Sequence, residues 1–173
     1  MKKTFSISVT AAVLSAFLMI TVATYGLIDL VSAQGPPKFT INLTGSEEVP
    51  PVQTNATGTA EISAFDIASD AISYGINATN ISGVTAAHTH LGKQGENGPI
   101  VVTFFKYVGP RPINEVMEGG TITAADLEGP LKGKPLSELA VAGANGSLYV
   151  NIHTEKYPNG EIRGQIVNPM TKD

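Results

Sequence analysis

Beyond residue 33 the chain alternates apolar and polar residues in short bursts, and each burst stops at Gly, Pro or Asn. Side chains on a strand point alternately to opposite faces, so this period of two marks strands with one buried side, joined by tight connections. The pattern predicts eight strands: Lys38–Leu43, Thr57–Asp66, Ala71–Asn77, Val84–Leu91, Ile100–Phe105, Gly120–Ile122, Ser147–Thr154 and Glu161–Val167. The expected fold is all-β, a Greek-key β-sandwich or flattened barrel, because several connections are too long for an up-and-down barrel. The longest connection, 106–146, holds two stretches, Thr123–Leu127 and Ser137–Ala140, each opened by a residue able to cap a helix and each predicted to form a single helical turn. No long helix is expected.

The first 33 residues have the layout of an export signal: Lys2 and Lys3, an apolar stretch from Val9 to Leu30, then Val31-Ser32-Ala33 before Gln34. Cleavage there would leave one domain over 34–173. The apolar stretch approaches membrane-spanning length, so an uncleaved N-terminal anchor is the alternative, and only then would the membrane be a partner. On either reading the remainder is secreted, cell-surface or otherwise extracytoplasmic.

Without the leader, the totals of 11 basic and 15 acidic side chains fall to 9 and 14, as Lys2, Lys3 and Asp29 are lost. A net charge of about −5 argues against nucleic acid as a partner. The chain has no cysteine. Stability must therefore come from packing and any bound ion, and thiolate catalysis and cysteine-ligated metals are excluded. Five Asn-x-Ser/Thr sites, at Asn42, Asn55, Asn77, Asn80 and Asn145, are candidate glycosylation acceptors in a host that glycosylates.

All three histidines fall in two segments, Ala87-His88-Thr89-His90-Leu91-Gly92 and Val150-Asn151-Ile152-His153-Thr154. On a strand, His88 and His90 share a face, the spacing a chelating pair needs, and His153 is the candidate third arm. Three neutral imidazoles can bind copper or zinc and leave a fourth position open. In the C-terminal hairpin a loop of Lys156-Tyr157-Pro158-Asn159-Gly160 would set His153 across from Arg163 and Glu155 across from Glu161, with His153, Arg163 and Gln165 on a polar outer face. Glu161 or Gln165 is then a candidate partner for an imidazole's second nitrogen. The competing role for His88 and His90 is bonding to carbonyls of the Gly-rich turn Lys93–Pro99, with Arg163 and Glu161 paired on the surface. Glu47-Glu48 and Pro50-Pro51 mark a rigid crossover.

Other chemistries lack their parts. There is no Gly-x-Ser-x-Gly elbow and no phosphate-binding glycine loop, and no catalytic residue is identified. Binding is the expected class, rather than enzymatic turnover.

Four blocks carry a family resemblance: Leu43-Thr44-Gly45-Ser46-Glu47-Glu48-Val49-Pro50-Pro51; Gly83 through Gly92; Asn97-Gly98-Pro99-Ile100-Val101-Val102; and Tyr149 through Thr154 followed by Pro158 through Gln165. In this order, over a core of about 39–168, they resemble the chordin-type (CHRD) domain. That family is found repeated in animal chordin, an extracellular growth-factor antagonist, and as single exported domains in microbes. The resemblance implies an extracellular binding or interaction module whose partner is an extracellular protein or a cell-envelope component. A fainter similarity is to the copper side of copper/zinc superoxide dismutase. It implies His88, His90 and His153 as copper ligands, Arg163 as an anion-attracting group, and a copper-dependent oxidoreductase or copper buffer as the alternative function. This chain departs from that enzyme in having no fourth histidine, no His/Asp-rich zinc loop and no cysteine pair.

Overall fold

The computed structural model describes residues 35–111 and 114–167. The leader expected over residues 1–33 lies outside the described residues. Eight strands form in the expected order: β1 (Lys38–Thr44), β2 (Thr57–Ser63), β3 (Ile72–Thr79), β4 (Val84–Leu91), β5 (Ile100–Arg111), β6 (Glu115–Ile122), β7 (Leu148–Thr154) and β8 (Ile162–Ile166). They make one antiparallel sheet in the order β5-β4-β7-β8-β1-β2-β3-β6. Hairpins join β1 to β2, β2 to β3, β4 to β5 and β7 to β8, while β4–β7 and β3–β6 pair strands distant in the chain. The two ends of the order approach through side chains. Tyr107 on β5 donates to Glu118 Oε1 on β6 at 2.7 Å, and Tyr74 on β3 donates to the Phe104 carbonyl on β5 at 3.0 Å. The result is the all-β flattened barrel that the alternation implies.

Alternation builds the interior directly. Ile41 and Leu43 of β1, Ile72, Ile76 and Ala78 of β3, Leu148, Val150 and Ile152 of β7, and Ile162 of β8 all belong to one buried apolar cluster. On β4 the alternation is broken by a register shift between Val84 and Ala86, which lets Val84 and Ala87 both enter that cluster. Such a shift sets one extra residue against the partner strand and re-aims those that follow. It settles which face carries His88 and His90: the face opposite Ala87.

Three expectations are corrected. First, β5 runs on through Gly109 and Pro110, and β6 starts at Glu115 rather than Gly120. Because β5 ends the sheet order, a proline there removes no ladder bond that a neighbour needs. Second, the turn expected at Ser137–Ala140 is a nine-residue helix, α1 (Leu136–Ala144), which follows Pro135 and buries Leu136 and Leu139. The other expected turn is present as a 3-10 turn at Ala124–Asp126, closed by Thr123 and Asp126 bonding reciprocally. Third, Arg163 pairs with Asn151, and Ile162 with Ile152, so the hairpin register is two residues from the expected one. The connection is wider than five residues: Thr154 N–H donates to the Tyr157 carbonyl, and the Thr154 hydroxyl accepts from Tyr157 N–H and donates to Glu161. A shift of two preserves which face each residue occupies.

Candidate metal centre

The outer face of β4, β7 and β8 is polar, yet it is not open to solvent. Every residue of β7 is buried, and so are His88, His90, Glu161 and Arg163. Three loops cover it: the segment around Glu48 and Val49, residues 92–99, and residues 156–160. On that face His88 stands opposite Asn151, which stands opposite Arg163, while His90 stands opposite Tyr149, which stands opposite Gln165. His153, opposite Ala86, completes the group.

The two segments that hold the chain's histidines meet there. The candidate ligand atoms of His88, His90 and His153 all lie within 4.8 Å of one another. Their ring centroids are 5.7 Å apart for His88 and His90, 4.8 Å for His88 and His153, and 5.8 Å for His90 and His153. Three nitrogens each about 2 Å from one ion would sit roughly 3.3–3.5 Å apart, so ring adjustments on the order of 1 Å would suffice to close around it.

Backbone carbonyls fix two of the rings. His90 Nδ1 is 2.8 Å from the Gly98 carbonyl and His153 Nδ1 is 2.9 Å from the Pro158 carbonyl. A carbonyl only accepts, so each Nδ1 carries the proton and each Nε2 presents a lone pair. Those Nε2 atoms, with Nδ1 of His88, are buried and have no hydrogen-bond partner. Burial holds all three imidazoles below their ordinary range. For His88, burial together with the charges of His153, His90 and Lys106 brings the pKa down to about 3. For His90 burial outweighs the Gly98 hydrogen bond, and for His153 it outweighs the Pro158 hydrogen bond. The cluster is therefore neutral at physiological pH, the state in which imidazole ligates.

The acidic and basic residues expected around the cluster hold the covering loops instead. Arg163 is 1 % exposed; it donates to the carbonyls of Glu96 at 2.9 Å and Lys93 at 3.1 Å and to Asn97 Oδ1 at 3.3 Å. Its guanidinium carbon also sits 3.4 Å from the ring centroid of Tyr149, which stacks on His90 at 4.9 Å with a 9° interplanar angle. Tyr149 Oη accepts from Gly98 N–H, whose own carbonyl holds His90. Glu161 accepts from Thr54 at 2.6 Å and Thr154 at 2.8 Å, and Gln165 directs its amide at the carbonyls of Gly92, Gly146 and Leu148. Neither holds an imidazole; the carbonyls of Gly98 and Pro158 have that place. The five asparagines of the glycosylation sites are all exposed.

Two residues of the site, Glu48 and Asn151, lie in segments that the sequence singles out, yet the sequence gives them no part in the site. Glu48 is 4 % exposed, and burial pushes its carboxyl up to about 7, against the lowering effects of Arg163 and Asn151. Asn151, 1 % exposed, stands between His88 on β4 and Arg163 on β8 across the ladder.

Fold and site together define a class: a flattened antiparallel β-barrel with a buried, neutral three-imidazole cluster on its loop-covered outer face. The family model of the CHRD domain matches residues 39–166, and the chain belongs to that family. CHRD domains occur in secreted and extracellular proteins. No curated protein matches the chain, and no solved structure does.

Proposed function

We propose that this chain is an exported CHRD-domain binding module that holds one zinc or copper ion through His88, His90 and His153. The observation that carries the metal reading is the convergence of three buried imidazole nitrogens that lack partners, two of them with lone pairs fixed toward the cluster by backbone carbonyls. Buried polar atoms are nearly always satisfied, and a cation meets three such atoms at once. Binding is favoured over redox turnover because Arg163, the group that would draw an anion to the ion, has its guanidinium buried and bonded to loop carbonyls. The extracellular interaction role rests on family membership.

Purified protein titrated with Zn(II) and with Cu(II), beside a His88→Ala/His153→Ala variant, tests the metal reading. One ion per wild-type chain and none on the variant is the expected result. Equal uptake by both would end it.

A further inference from the structure

We propose that Asn151 supplies a fourth donor, its side-chain oxygen, to the ion at the three histidines, and that Glu48 is the positioning residue that turns the Asn151 amide to face it. This rests on the three-histidine reading and deepens it. Among the described residues, the buried side-chain polar atoms without a partner are Nδ1 of His88, Nε2 of His90, Nε2 of His153, Oδ1 of Asn151 and Oε1 of Glu48. Three are the imidazole nitrogens. The fourth belongs to the residue directly across the β4–β7 ladder from His88, two positions before His153 and therefore on the same face. Directly opposed side chains have Cβ atoms about 5 Å apart, close enough to share one ion.

The lone pairs decide what can lie between these groups. His90 gives its only proton to the Gly98 carbonyl, so Nε2 is an acceptor, and like Asn151 Oδ1 it has no hydrogen-bond partner. Asn151 Nδ2 lies 3.4 Å from the Asn159 carbonyl, on the Gly160 and Glu48 side, which leaves the buried, unpartnered Oδ1 as the amide atom available to the cluster. Two unpartnered acceptors cannot satisfy one another, whereas an electrophile bound by both satisfies both. A divalent ion taking three imidazole nitrogens and one neutral amide oxygen has the mixed nitrogen–oxygen donor set that suits Zn(II) or Cu(II).

Glu48 fixes the orientation. Its carboxylate and the Asn151 amide converge over the bare Cα of Gly160, where a Cβ would run into Glu48 Oε1 and lie 2.6 Å from Asn151 Nδ2. Glu48 Oε1 forms no hydrogen bond, but a carboxyl oxygen beside the amide nitrogen disfavours the flipped amide, which would set oxygen against oxygen.

The test is Cu(II) binding, followed by affinity and electron paramagnetic resonance, on wild type, Asn151→Ala, Asn151→Asp, Glu48→Ala and Glu48→Gln. Asn151→Ala is expected to weaken binding roughly tenfold or more and change the copper hyperfine parameters, while Asn151→Asp, which keeps an oxygen and adds charge, tightens it. Glu48→Ala should give the Asn151→Ala spectrum, and Glu48→Gln, which keeps an oxygen beside the amide nitrogen, should restore the wild-type one. If both Asn151 variants bind within twofold of wild type with unchanged spectra, while His88→Ala/His153→Ala loses the ion, this inference is overturned and the three-histidine site stands. If wild type takes up no copper, the three-histidine reading itself fails.

Discussion

Arg163→Met isolates the energy of the loop cover from that of the barrel, because methionine matches the aliphatic stem while removing the fork. Each of the two carbonyl bonds, at 2.9 and 3.1 Å from a charged donor, is worth about 1.5–3 kcal/mol. The guanidinium over the Tyr149 ring adds about 2 kcal/mol in a desolvated setting. Against these stands the desolvation of a buried cation, several kcal/mol, which the variant is spared. The net expectation is a loss of about 3 kcal/mol, and for a domain of this size a fall of about 9 °C in Tm. Urea unfolding followed by circular dichroism in a chelator at neutral pH measures it without a contribution from bound ion. Arg163→Lys keeps the charge but loses the second arm, which bonds Asn97 Oδ1, and the planar stack on Tyr149, so about half the loss should remain. A methionine variant within about 0.5 kcal/mol of wild type, the range of an ordinary surface substitution, would refute the assignment of Arg163 as the tie for residues 92–99.

Two further outcomes are expected. Without an ion, stability should fall on acidification from pH 6.5 to 4.5. The three imidazoles, depressed by burial from an ordinary 6.5, refuse protons that the unfolded chain takes up as pH drops below that value. Glu48, raised by burial from 4.5 to about 7, has the opposite effect, destabilising as pH rises through the same window, so up to three protons are set against one. Urea midpoints across that range check the sign, and a rise on acidification would contradict it. Gly143→Ala should stabilise the domain by about 1 kcal/mol, since alanine is the better helix former. The added Cβ would meet Leu148 and Ile166 at 3.6 and 3.8 Å, ordinary packing distances. A lower Tm in a thermal melt would show that α1 does not pack as described.

Much of this arrangement was legible from residue order alone. Period-two alternation located all eight strands, and the His-x-His spacing identified a same-face pair whose third partner lay on the C-terminal hairpin. Alternation says less where backbone geometry changes. The shift between Val84 and Ala86 leaves no mark in apolar content, and the hairpin register depended on Thr154 and Tyr157 closing a wider turn than the glycine suggested. Gly109-Pro110 reads as a break and proves to be edge strand. The supports of the site were the least visible part. The Gly98 carbonyl that orients His90 lies in the Gly-rich turn expected to offer one, but the Pro158 carbonyl that orients His153 had no signal, since every residue has a carbonyl. Glu48 resembles any loop glutamate until the fold buries it.

The cover over the histidines also constrains how such a chain can vary. Surface loops ordinarily accept insertions, but here Asn97 Nδ2 is tied to the Val49 carbonyl, Arg163 to Lys93 and Glu96, and Pro158 to His153. One added residue in any of the three segments would displace a carbonyl that an imidazole, the guanidinium or the Asn97 amide depends on. Length changes should therefore be excluded from this end of the barrel and accumulate elsewhere, as at the exposed turn 67–70 or beside Val108, where no such tie exists among the described residues.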